Sequence, residues 1–412
     1  MFRKIKNLAS YVWFVFSLDY LQLGCTLIDI FILVFAFFKR EEVLSQSTLT
    51  LFCLAILTNF VWQIVNVANH FAFLKEEEPE KPLVSMLEVG GTKKKDFKRV
   101  KMDSNLFNGE MPYQPDKVKD GVLVNHSVDA VLLNSTTGIR PVEVGMKRSN
   151  TKTYIKQYES ILLKFLNHKW HDVTHKGGEF TNDAKICLGS ELVKEEDGSY
   201  TWAICKGWYY NGVLTNFIFS QYVGGSYYRL YPPINVDNTC IKPFGSSDFS
   251  DHIGVSTLLV TSDNYVVVFE QASNAGYNAG KMMPSGSGSL DYADYIKGED
   301  FRQMVIRGAQ RELLQEASLE KKMEEDETWI IETRILSFYR DLERGGKPEF
   351  CCISSINKKV DSIINDVVPN AKELARGKRD YVKVDDSTKW KGVLANASLS
   401  LRMCYTALIE SF

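Results

Sequence analysis

The chain has 412 residues and a formal net charge of −2, and this length is enough for about two or three structural units. The near-neutral charge argues against a dedicated binder of nucleic-acid polymers, because such proteins carry a strong positive excess. Hydrophobic residues make up 45% of the chain, and two long apolar runs lie before residue 75.

The two apolar runs occupy residues 20–38 and 49–67, with a short polar connection between them. Each run is long enough for a helix to cross the roughly 30 Å hydrocarbon core of a bilayer. A cleaved signal peptide is disfavoured, because a second run follows the first and no small-residue cleavage site is evident. The pattern therefore predicts a two-helix transmembrane hairpin within residues 1–75.

Basic residues flank this predicted hairpin on its outer sides. Arg3, Lys4 and Lys6 precede the first run, and a basic tract at residues 93–101 follows the second. Since lysine and arginine favour the cytoplasmic side of a membrane, we expect both termini to be cytoplasmic and the protein to be multi-pass.

Polar side chains interrupt the predicted spans and form what we term the polar seam: Asp19, Asp29, Asn59, Gln63 and Asn66. Unpaired polar groups are costly in lipid, so each of them needs a hydrogen-bond partner. One interpretation is hydrogen bonding within a single hairpin. The other is a seam that meets its equivalents in a homo-oligomer and lines a pore. Both interpretations stay open at this point.

Three further regions follow the predicted hairpin. Residues 76–120 are polar and weakly patterned, which is typical of a linker, here a basic one. Residues 121–250 predict an α+β lobe, because residues 153–170 have helical apolar spacing and residues 184–231 are rich in aromatic and β-branched residues. The sequence suggests no function for this lobe. Residues 251–412 form the last region.

This last region alternates strand and helix patterns. The predicted order is hairpin, glycine-rich turn, helix, strand pair and terminal helix, at residues 254–270, 281–288, 301–319, 334–356 and 405–412.

The helix carries the most informative motif of the chain. Residues 311–319 read RELLQEASL, which resembles the core of the Nudix box, R-E-U-x-E-E-x-G-U with U aliphatic. Two positions depart from that pattern, since Gln315 replaces a metal-binding glutamate and Ser318 replaces a glycine. The turn KMMPSGSG at residues 281–288 resembles the family's glycine-rich turn. The resemblance implies a Nudix-like α/β/α sandwich for residues 251–412.

The interval between the glycine-rich turn and the helix is longer than in the family, which implies an insertion around residues 291–299. Asp291, Asp294 and Glu299 lie in this insertion and are candidates to replace the missing glutamate. At the other end of the motif, Ser318 implies either a left-handed residue or a helix that continues past it. We expect the helix to continue.

On a helix, Glu312, Gln315 and Glu316 share one face. Carboxylate oxygens on one face suit Mg²⁺, which also bridges to substrate phosphates. If this helix holds a metal, Glu312 and Glu316 are its candidate ligands and Mg²⁺ is the candidate cofactor. Because Gln315 removes one ligand charge, we assign no catalytic residue, and the motif disfavours an enzyme.

A nucleotide ligand needs backbone N–H groups, cationic side chains and an aromatic ring for stacking. The residues that could supply them are Tyr277, Lys281, Ser285, Gly286, Arg311, Arg340 and Arg344.

Two spans joined to a degraded Nudix-like domain resemble the transmembrane–Nudix effectors of bacterial cyclic-oligonucleotide antiphage signalling (CBASS). The resemblance implies an α+β chain in which a transmembrane hairpin precedes a cytosolic region that ends in the Nudix-like sandwich. It also implies a cyclic oligonucleotide ligand, a homo-oligomer and the lipid bilayer of the bacterial inner membrane as partners. Ligand binding would then drive assembly and permeabilise that membrane.

Two other functions stay open. One is a membrane-anchored, Mg²⁺-dependent Nudix hydrolase that cleaves a nucleoside diphosphate derivative. The other is an anchored interaction protein without a ligand.

Overall fold

The structure is a computed structural model of the chain. It describes residues 2–18, 31, 54, 56–57, 61, 113–115, 122–125, 128, 130–135, 138–175, 178–220, 222–223, 226–227, 236–237, 240–271, 278, 280–325, 329–367 and 378–411.

The described helices are α1 (Phe2–Leu18), α2 (Ala130–Leu133), α3 (Met146–Gln157), α4 (Glu159–His175), α5 (Tyr209–Gly212), α6 (Phe301–Glu316), α7 (Glu320–Glu325), α8 (Val360–Ile363), α9 (Ser387–Ala395) and α10 (Leu399–Glu410).

The described strands are β1 (Tyr113–Pro115), β2 (Val122–Asn125), β3 (Ile139–Glu143), β4 (Ala184–Lys194), β5 (Tyr200–Trp208), β6 (Tyr222–Val223), β7 (Ser226–Tyr227), β8 (Val236–Asp237), β9 (Cys240–Ile241), β10 (Gly254–Val260), β11 (Tyr265–Glu270), β12 (Met282–Met283), β13 (Gly286–Ser289), β14 (Ile330–Asp341), β15 (Lys347–Ile356) and β16 (Arg379–Lys383).

The membrane prediction is corrected by the helices that the structure describes. Among these residues, none of the helices combines the length and the apolar character needed to cross a bilayer. On this finding, the fold class that began with a transmembrane hairpin and the multi-pass location in the inner membrane are both wrong. The helix at the start of the chain, α1, has 17 residues and carries basic side chains in its first turns.

Most of the residues on which that prediction rested lie outside the described part of the chain. Of the runs at 20–38 and 49–67, only isolated positions are described. The polar seam also lies outside it, at Asp19, Asp29, Asn59, Gln63 and Asn66.

The chain divides into two compact units. Unit 1 comprises residues 1–81 and 156–182, and its described part contains α1 and α4. Unit 2 comprises residues 82–155 and 183–412 and contains every described strand.

In unit 1, one face of α1 packs on α4. The Tyr11 ring lies 5.7 Å from the Trp170 ring, and the Trp170 indole donates a hydrogen bond of 3.3 Å to the Asn7 carbonyl. The Asn7 side chain donates to the Gly178 carbonyl and accepts from the Phe180 N–H, which fixes the chain just after α4. Because Asn7 and Tyr11 are four residues apart, they project from the same side of α1.

A mixed sheet forms the centre of unit 2. Its strand order is β1-β2-β14-β15-β10-β11-β12, with β13 also paired to β10 and β16 to β11. β10 runs parallel to β15, whereas the other neighbours in this sheet are antiparallel. Every residue of β10 is buried, as expected for a strand that is covered on both faces.

Helices pack on both faces of the central sheet. Val305 and Ala309 of α6 belong to a buried cluster that contains Phe350 of β15. The next residue of that strand, Cys351, belongs to a second buried cluster with Leu401 of α10. Successive strand residues point to opposite faces, so α6 covers one side of the sheet and α10 covers the other.

A second sheet, of order β3-β5-β4, lies in the region predicted as the α+β lobe. Trp202 of β5 stacks on Phe301 of α6 with ring centroids 4.8 Å apart. The Ile186 N–H donates to the Leu290 carbonyl at 3.1 Å, and the Ile253 N–H donates to the Ile186 carbonyl at 3.0 Å. The small sheet therefore shares a core and backbone hydrogen bonds with residues that follow position 250.

Helix α6 begins and ends with defined caps. The Asp300 side chain accepts from the Arg302 N–H at the start, as a preferred N-cap residue does. At the end, Ser318 has φ of 56°, and the Leu319 N–H donates to the Leu314 carbonyl at 2.9 Å. These are features of a Schellman motif with a left-handed residue after the C-cap. The predicted continuation of the helix is therefore wrong, and the alternative of a left-handed Ser318 is observed.

Candidate functional site

The glycine-rich turn becomes strand β13, which lies directly against α6. A Cβ atom added to Gly286 would meet the Leu313 Cα at 2.5 Å, and one added to Gly288 would meet the Glu312 carboxylate carbon at 2.1 Å. Both distances are far below van der Waals contact. The glycines thus permit a close approach of strand and helix, and we call β13 and α6 together the Nudix-like unit.

Two carboxylates of α6 face β13. Oε2 of Glu316 accepts a hydrogen bond of 2.7 Å from the Ser287 N–H, and the Glu312 carboxylate lies beside the Cα of Gly288. Both glutamates are only 7% exposed. Their spacing of four residues places them on one face of the helix, as the sequence predicts.

Arg311 lies at the centre of the polar contacts of the Nudix-like unit. Its Nη2 is 2.9 Å from Oδ2 of Asp294 and its Nε is 3.2 Å from Oδ1, which makes a bidentate pair. Its Nη1 is 2.9 Å from Oε1 of Glu312 and 3.2 Å from Oδ2 of Asp291. Burial alone opposes the charge of this side chain, but the carboxylates of Asp294, Glu312 and Asp291 together raise the pKa of the Arg311 guanidinium.

Two weaker contacts complete the surroundings of Arg311. Nη2 donates to the Ser289 carbonyl at 3.1 Å, and Nη1 lies 3.4 Å from Oε1 of Gln315. Gln315, which stands where the family has a glutamate, is therefore within reach of the guanidinium through its amide oxygen.

The acidic residues of the predicted insertion have basic partners. Asp291 pairs with Lys185 of β4 as well as with Arg311. Glu299 pairs with Arg307, which lies one turn before Arg311 on α6. Asp294 also accepts from the Asp291 N–H at 2.8 Å and closes a short 3-10 turn. These carboxylates hold the insertion against α6 and β4.

The carboxylates around Arg311 are not arranged as the divalent-metal site that the resemblance implies. Within the part of the chain that the structure describes, no group of three or more histidine, cysteine, aspartate or glutamate side chains is arranged to hold a metal ion. Glu312 and Glu316 are separated on the helix by neutral Gln315, and Asp291 and Asp294 are turned to Arg311. The residues present do not fit a resident divalent cation.

Two of the predicted ligand-binding side chains are buried in the fold. Ser285 is fully buried, where its hydroxyl donates to the Val267 carbonyl at 2.5 Å and accepts from the Leu259 N–H at 2.7 Å. Arg340 is also fully buried, and its guanidinium lies 3.8 Å from the centre of the Phe244 ring. Both side chains stabilise the fold, and neither reaches solvent.

Other predicted ligand-binding residues lie apart from the Nudix-like unit or outside the described residues. Arg344, after β14, lies 3.6 Å from a carboxylate oxygen of Asp341 and 3.5 Å from one of Glu349. Lys281, just before β12, is half-buried and has no ion pair among the described residues. Tyr277 lies outside the described part of the chain. The structure therefore brings together Gly286 and Arg311 with the two glutamates, but not Arg340 or Arg344.

A second polar cluster was not predicted from the sequence. Lys147 of α3 and Asp251 form a fully buried ion pair of 2.5 Å, and Asn216 donates to the other oxygen of Asp251 at 2.9 Å. Asp251 has φ of 48°. Burial alone would raise the pKa of Asp251, but Lys147 and Arg340 lower it. The partners lie far apart in the chain, so no local sequence pattern could indicate the pair.

Neither a protein-family model nor a curated protein matches this chain. Solved structures that match include the MutT protein from Methanosarcina mazei Go1, at 14% identity and a TM-score of 0.26, covering 39% of this chain and 94% of that one. The Nudix hydrolase RenU from M. smegmatis matches at 13% identity and a TM-score of 0.25, covering 39% of this chain and 83% of that one.

A third match is a bifunctional NMN adenylyltransferase/ADP ribose pyrophosphatase from Francisella tularensis, complexed with AMP and a Mn ion. It is 12% identical, has a TM-score of 0.27, and covers 39% of this chain and 41% of that one. At these TM-scores and identities, the likeness concerns the fold of under half of the chain and carries nothing about activity.

Proposed function

We propose that this protein binds a nucleotide derivative at the Nudix-like unit and retains the ligand instead of hydrolysing it. Two features of α6 support this proposal. Gln315 stands where the Nudix box has a glutamate, and Arg311 forms ion pairs with Asp291, Asp294 and Glu312. Hydrolysis of a diphosphate in a Nudix box relies on clustered carboxylates that hold metal ions. A face whose carboxylates are bound by an arginine is poorly suited to that chemistry.

The charge of the face favours some ligands over others. Glu312 and Glu316 are both acidic and both line β13, so a terminal di- or triphosphate would meet repulsion there. A phosphodiester carries one negative charge for each phosphate and lacks a terminal phosphate group. We therefore put a cyclic oligonucleotide first among the ligand classes. In this proposal the ligand extends from the Nudix-like unit to Lys281, just before β12, which is the cationic side chain that meets a phosphate.

In this proposal the protein is a receptor for a nucleotide second messenger of the kind used in bacterial antiphage signalling. A receptor must leave its messenger intact, and the loss of a metal ligand serves that need. A bound ligand shifts an assembly equilibrium only through a difference in affinity between the two states. Homo-oligomerisation on ligand binding is thus part of the proposal.

The test uses the purified full-length chain. Its thermal unfolding is measured with cyclic di- and trinucleotides and with nucleoside diphosphate derivatives, each with and without Mg²⁺, and every mixture is then separated by chromatography. A cyclic nucleotide that raises the unfolding temperature and is recovered intact supports the receptor. Lys281→Ala should reduce that shift, whereas Lys297→Ala, which removes an exposed lysine, should not. If no compound changes the unfolding temperature and none is cleaved, the proposal is wrong and the interaction protein is favoured.

A second candidate is a Mg²⁺-dependent hydrolase of a nucleoside diphosphate derivative. The observation that favours it is the retention of Glu312 and Glu316 on the face that meets β13. This candidate predicts cleaved products in the same mixtures only when Mg²⁺ is present, and it predicts that Glu316→Gln abolishes the cleavage.

A further inference from the structure

Every N–H group of the Arg311 guanidinium has an acceptor in the protein. A guanidinium has five N–H donors in a fixed planar arrangement. Nε and one donor of Nη2 are taken by Asp294, and the other donor of Nη2 by the Ser289 carbonyl. The donors of Nη1 are directed at Oε1 of Glu312 and Oε1 of Gln315, and Oδ2 of Asp291 lies 3.2 Å from the same nitrogen. The side chain has no donor left for a ligand, so its role is toward its own chain.

The acceptors come from two segments that would otherwise repel each other. Asp291 and Asp294 belong to the insertion, and Glu312 belongs to α6. Like charges that share a site disfavour one another unless a cation lies between them. In a metal-dependent site that cation is a divalent ion, and here a planar guanidinium with bidentate geometry lies among the carboxylate oxygens.

We propose that Arg311 is a built-in counter-cation that takes the place of a divalent metal ion between the insertion and α6. The ligand-free protein then holds its carboxylates together without metal. The same geometry implies a latent metal site, because the oxygens that surround Nη1 and Nη2 lie between 2.9 and 3.2 Å from them. Removal of the guanidinium leaves these oxygens around a common space, where a cation that keeps several waters can bind.

This inference concerns the ligand-free protein and does not depend on nucleotide binding. It is tested without any nucleotide, so its failure and the failure of the proposed function can be told apart.

The experiment is a titration of the full-length protein with Mn²⁺, which serves as a probe for Mg²⁺. Bound Mn²⁺ is measured by calorimetry and by the loss of the electron paramagnetic resonance signal of the free ion. The wild type should show no stoichiometric binding in the millimolar range. Arg311→Gln should gain one site and bind Mn²⁺ at least about tenfold more tightly, the lower end of the scale on which metal-site partners change affinity.

The matched control is Arg307→Gln, which removes an arginine of the same helix that pairs with the single carboxylate of Glu299. This variant should gain no site. Adding Glu312→Gln to Arg311→Gln should weaken the gained site, because one of its ligands is lost.

Two results would overturn the inference. One is a folded Arg311→Gln variant, judged by circular dichroism, that binds Mn²⁺ no better than the wild type. The other is a Mn²⁺ site in the wild type that Asp294→Asn or Glu312→Gln weakens. The second result decides the matter even if Arg311→Gln does not fold, since it needs only the wild type and two conservative variants.

Discussion

Glu316 and Ser287 are joined by a hydrogen bond of 2.7 Å, in which the backbone N–H of Ser287 donates to Oε2 of Glu316. The bond links the middle of β13 to the last turn of α6. With Gly286 and Gly288 on either side, it holds the strand so close to the helix that neither glycine has room for a side chain. Glu316 is thus a structural link between the strand and the helix in this chain.

The first prediction concerns that link. Glu316→Ala should lower the free energy of unfolding by about 1 kcal/mol, because it leaves the partly buried N–H of Ser287 without its acceptor. Glu316→Gln keeps an acceptor oxygen and should lower it less. Urea unfolding of the two variants measures the difference. Equal losses in the two variants would show that the hydrogen bond contributes nothing.

The second prediction concerns the close approach of strand and helix. Gly286→Ala places a Cβ 2.5 Å from the Cα of Leu313, a backbone atom of α6, and it should destabilise the protein by about 1–3 kcal/mol, as overpacking does. The control is Gly392→Ala in α9, where the added Cβ meets nothing within 4 Å. That change should stabilise the protein by about 0.5–1 kcal/mol, because alanine is the better helix former. A Gly286→Ala protein that unfolds at the wild-type urea concentration contradicts the geometry.

The third prediction concerns the end of α6. Ser318 has φ of 56°, which costs a residue with a Cβ roughly 1–2 kcal/mol and costs glycine almost nothing. Ser318→Gly should therefore raise the unfolding midpoint, with a gain of about 1 kcal/mol. Ser318→Ala keeps the Cβ and should show no such gain. If both variants behave alike, Ser318 is not left-handed in solution.

The sequence was sufficient to predict the local features of the candidate site. The helix that carries Arg311, Glu312 and Glu316 follows from residues within one helical period of each other. The glycine-rich turn beside it was also identified, and its role in ligand binding stays a prediction. Gly286 was expected to let backbone N–H groups approach a phosphate, and in the structure its missing side chain gives space to Leu313.

The remaining features depend on contacts between residues that are far apart in the chain. Lys185 pairs with Asp291 because β4 lies beside the insertion, and neither segment has a local signal for this contact. Arg340 is a candidate ligand-binding cation from the sequence, but in the structure it is fully buried against the Phe244 ring. The end of α6 was misjudged because serine rarely adopts the left-handed conformation, which biased the prediction toward a longer helix.

The fourth prediction is a pH dependence from His252. The side chain is 1% exposed, and its Nε2 has no hydrogen-bond partner within the described structure. Burial, then the charges of Lys347 and Lys185, lower the pKa of His252 to about 3 from 6.5. Between pH 6.5 and about 3, the unfolded state therefore binds a proton at His252 that the folded state does not. The contribution of His252 to the free energy of unfolding falls as the pH falls through this window.

His252→Gln should remove that dependence. Between pH 6.5 and pH 4, the slope of its free energy of unfolding in urea should differ from that of the wild type by up to about 1.4 kcal/mol per pH unit, so that the variant gains stability relative to the wild type as the pH falls. His175→Gln, which removes an exposed histidine of α4, should follow the wild-type profile. Parallel profiles for wild type and His252→Gln would mean that His252 is not buried in its neutral form.

The fifth prediction has the opposite sign and concerns Asp341, at the end of β14. Burial raises the pKa of this carboxyl from 3.8 to about 7, against the opposing effect of Arg344. Between these two values the folded state holds a proton that the unfolded state has lost. The stability that the protonated Asp341 contributes is therefore complete below pH 3.8 and is lost as the pH rises through about 7. Between these values the free energy of unfolding falls by up to about 1.4 kcal/mol per pH unit. Asp341→Asn keeps an acceptor for the Glu343 N–H and cannot titrate, so its stability in urea should not fall as the pH rises across this range.

Because His252 and Asp341 have opposite effects on stability between pH 4 and 6.5, the free energy of unfolding of the wild type should be nearly independent of pH there. Each single variant should show the pH dependence of the other residue. A wild-type profile that Asp341→Asn leaves unchanged would show that Asp341 is ionised in the folded protein throughout.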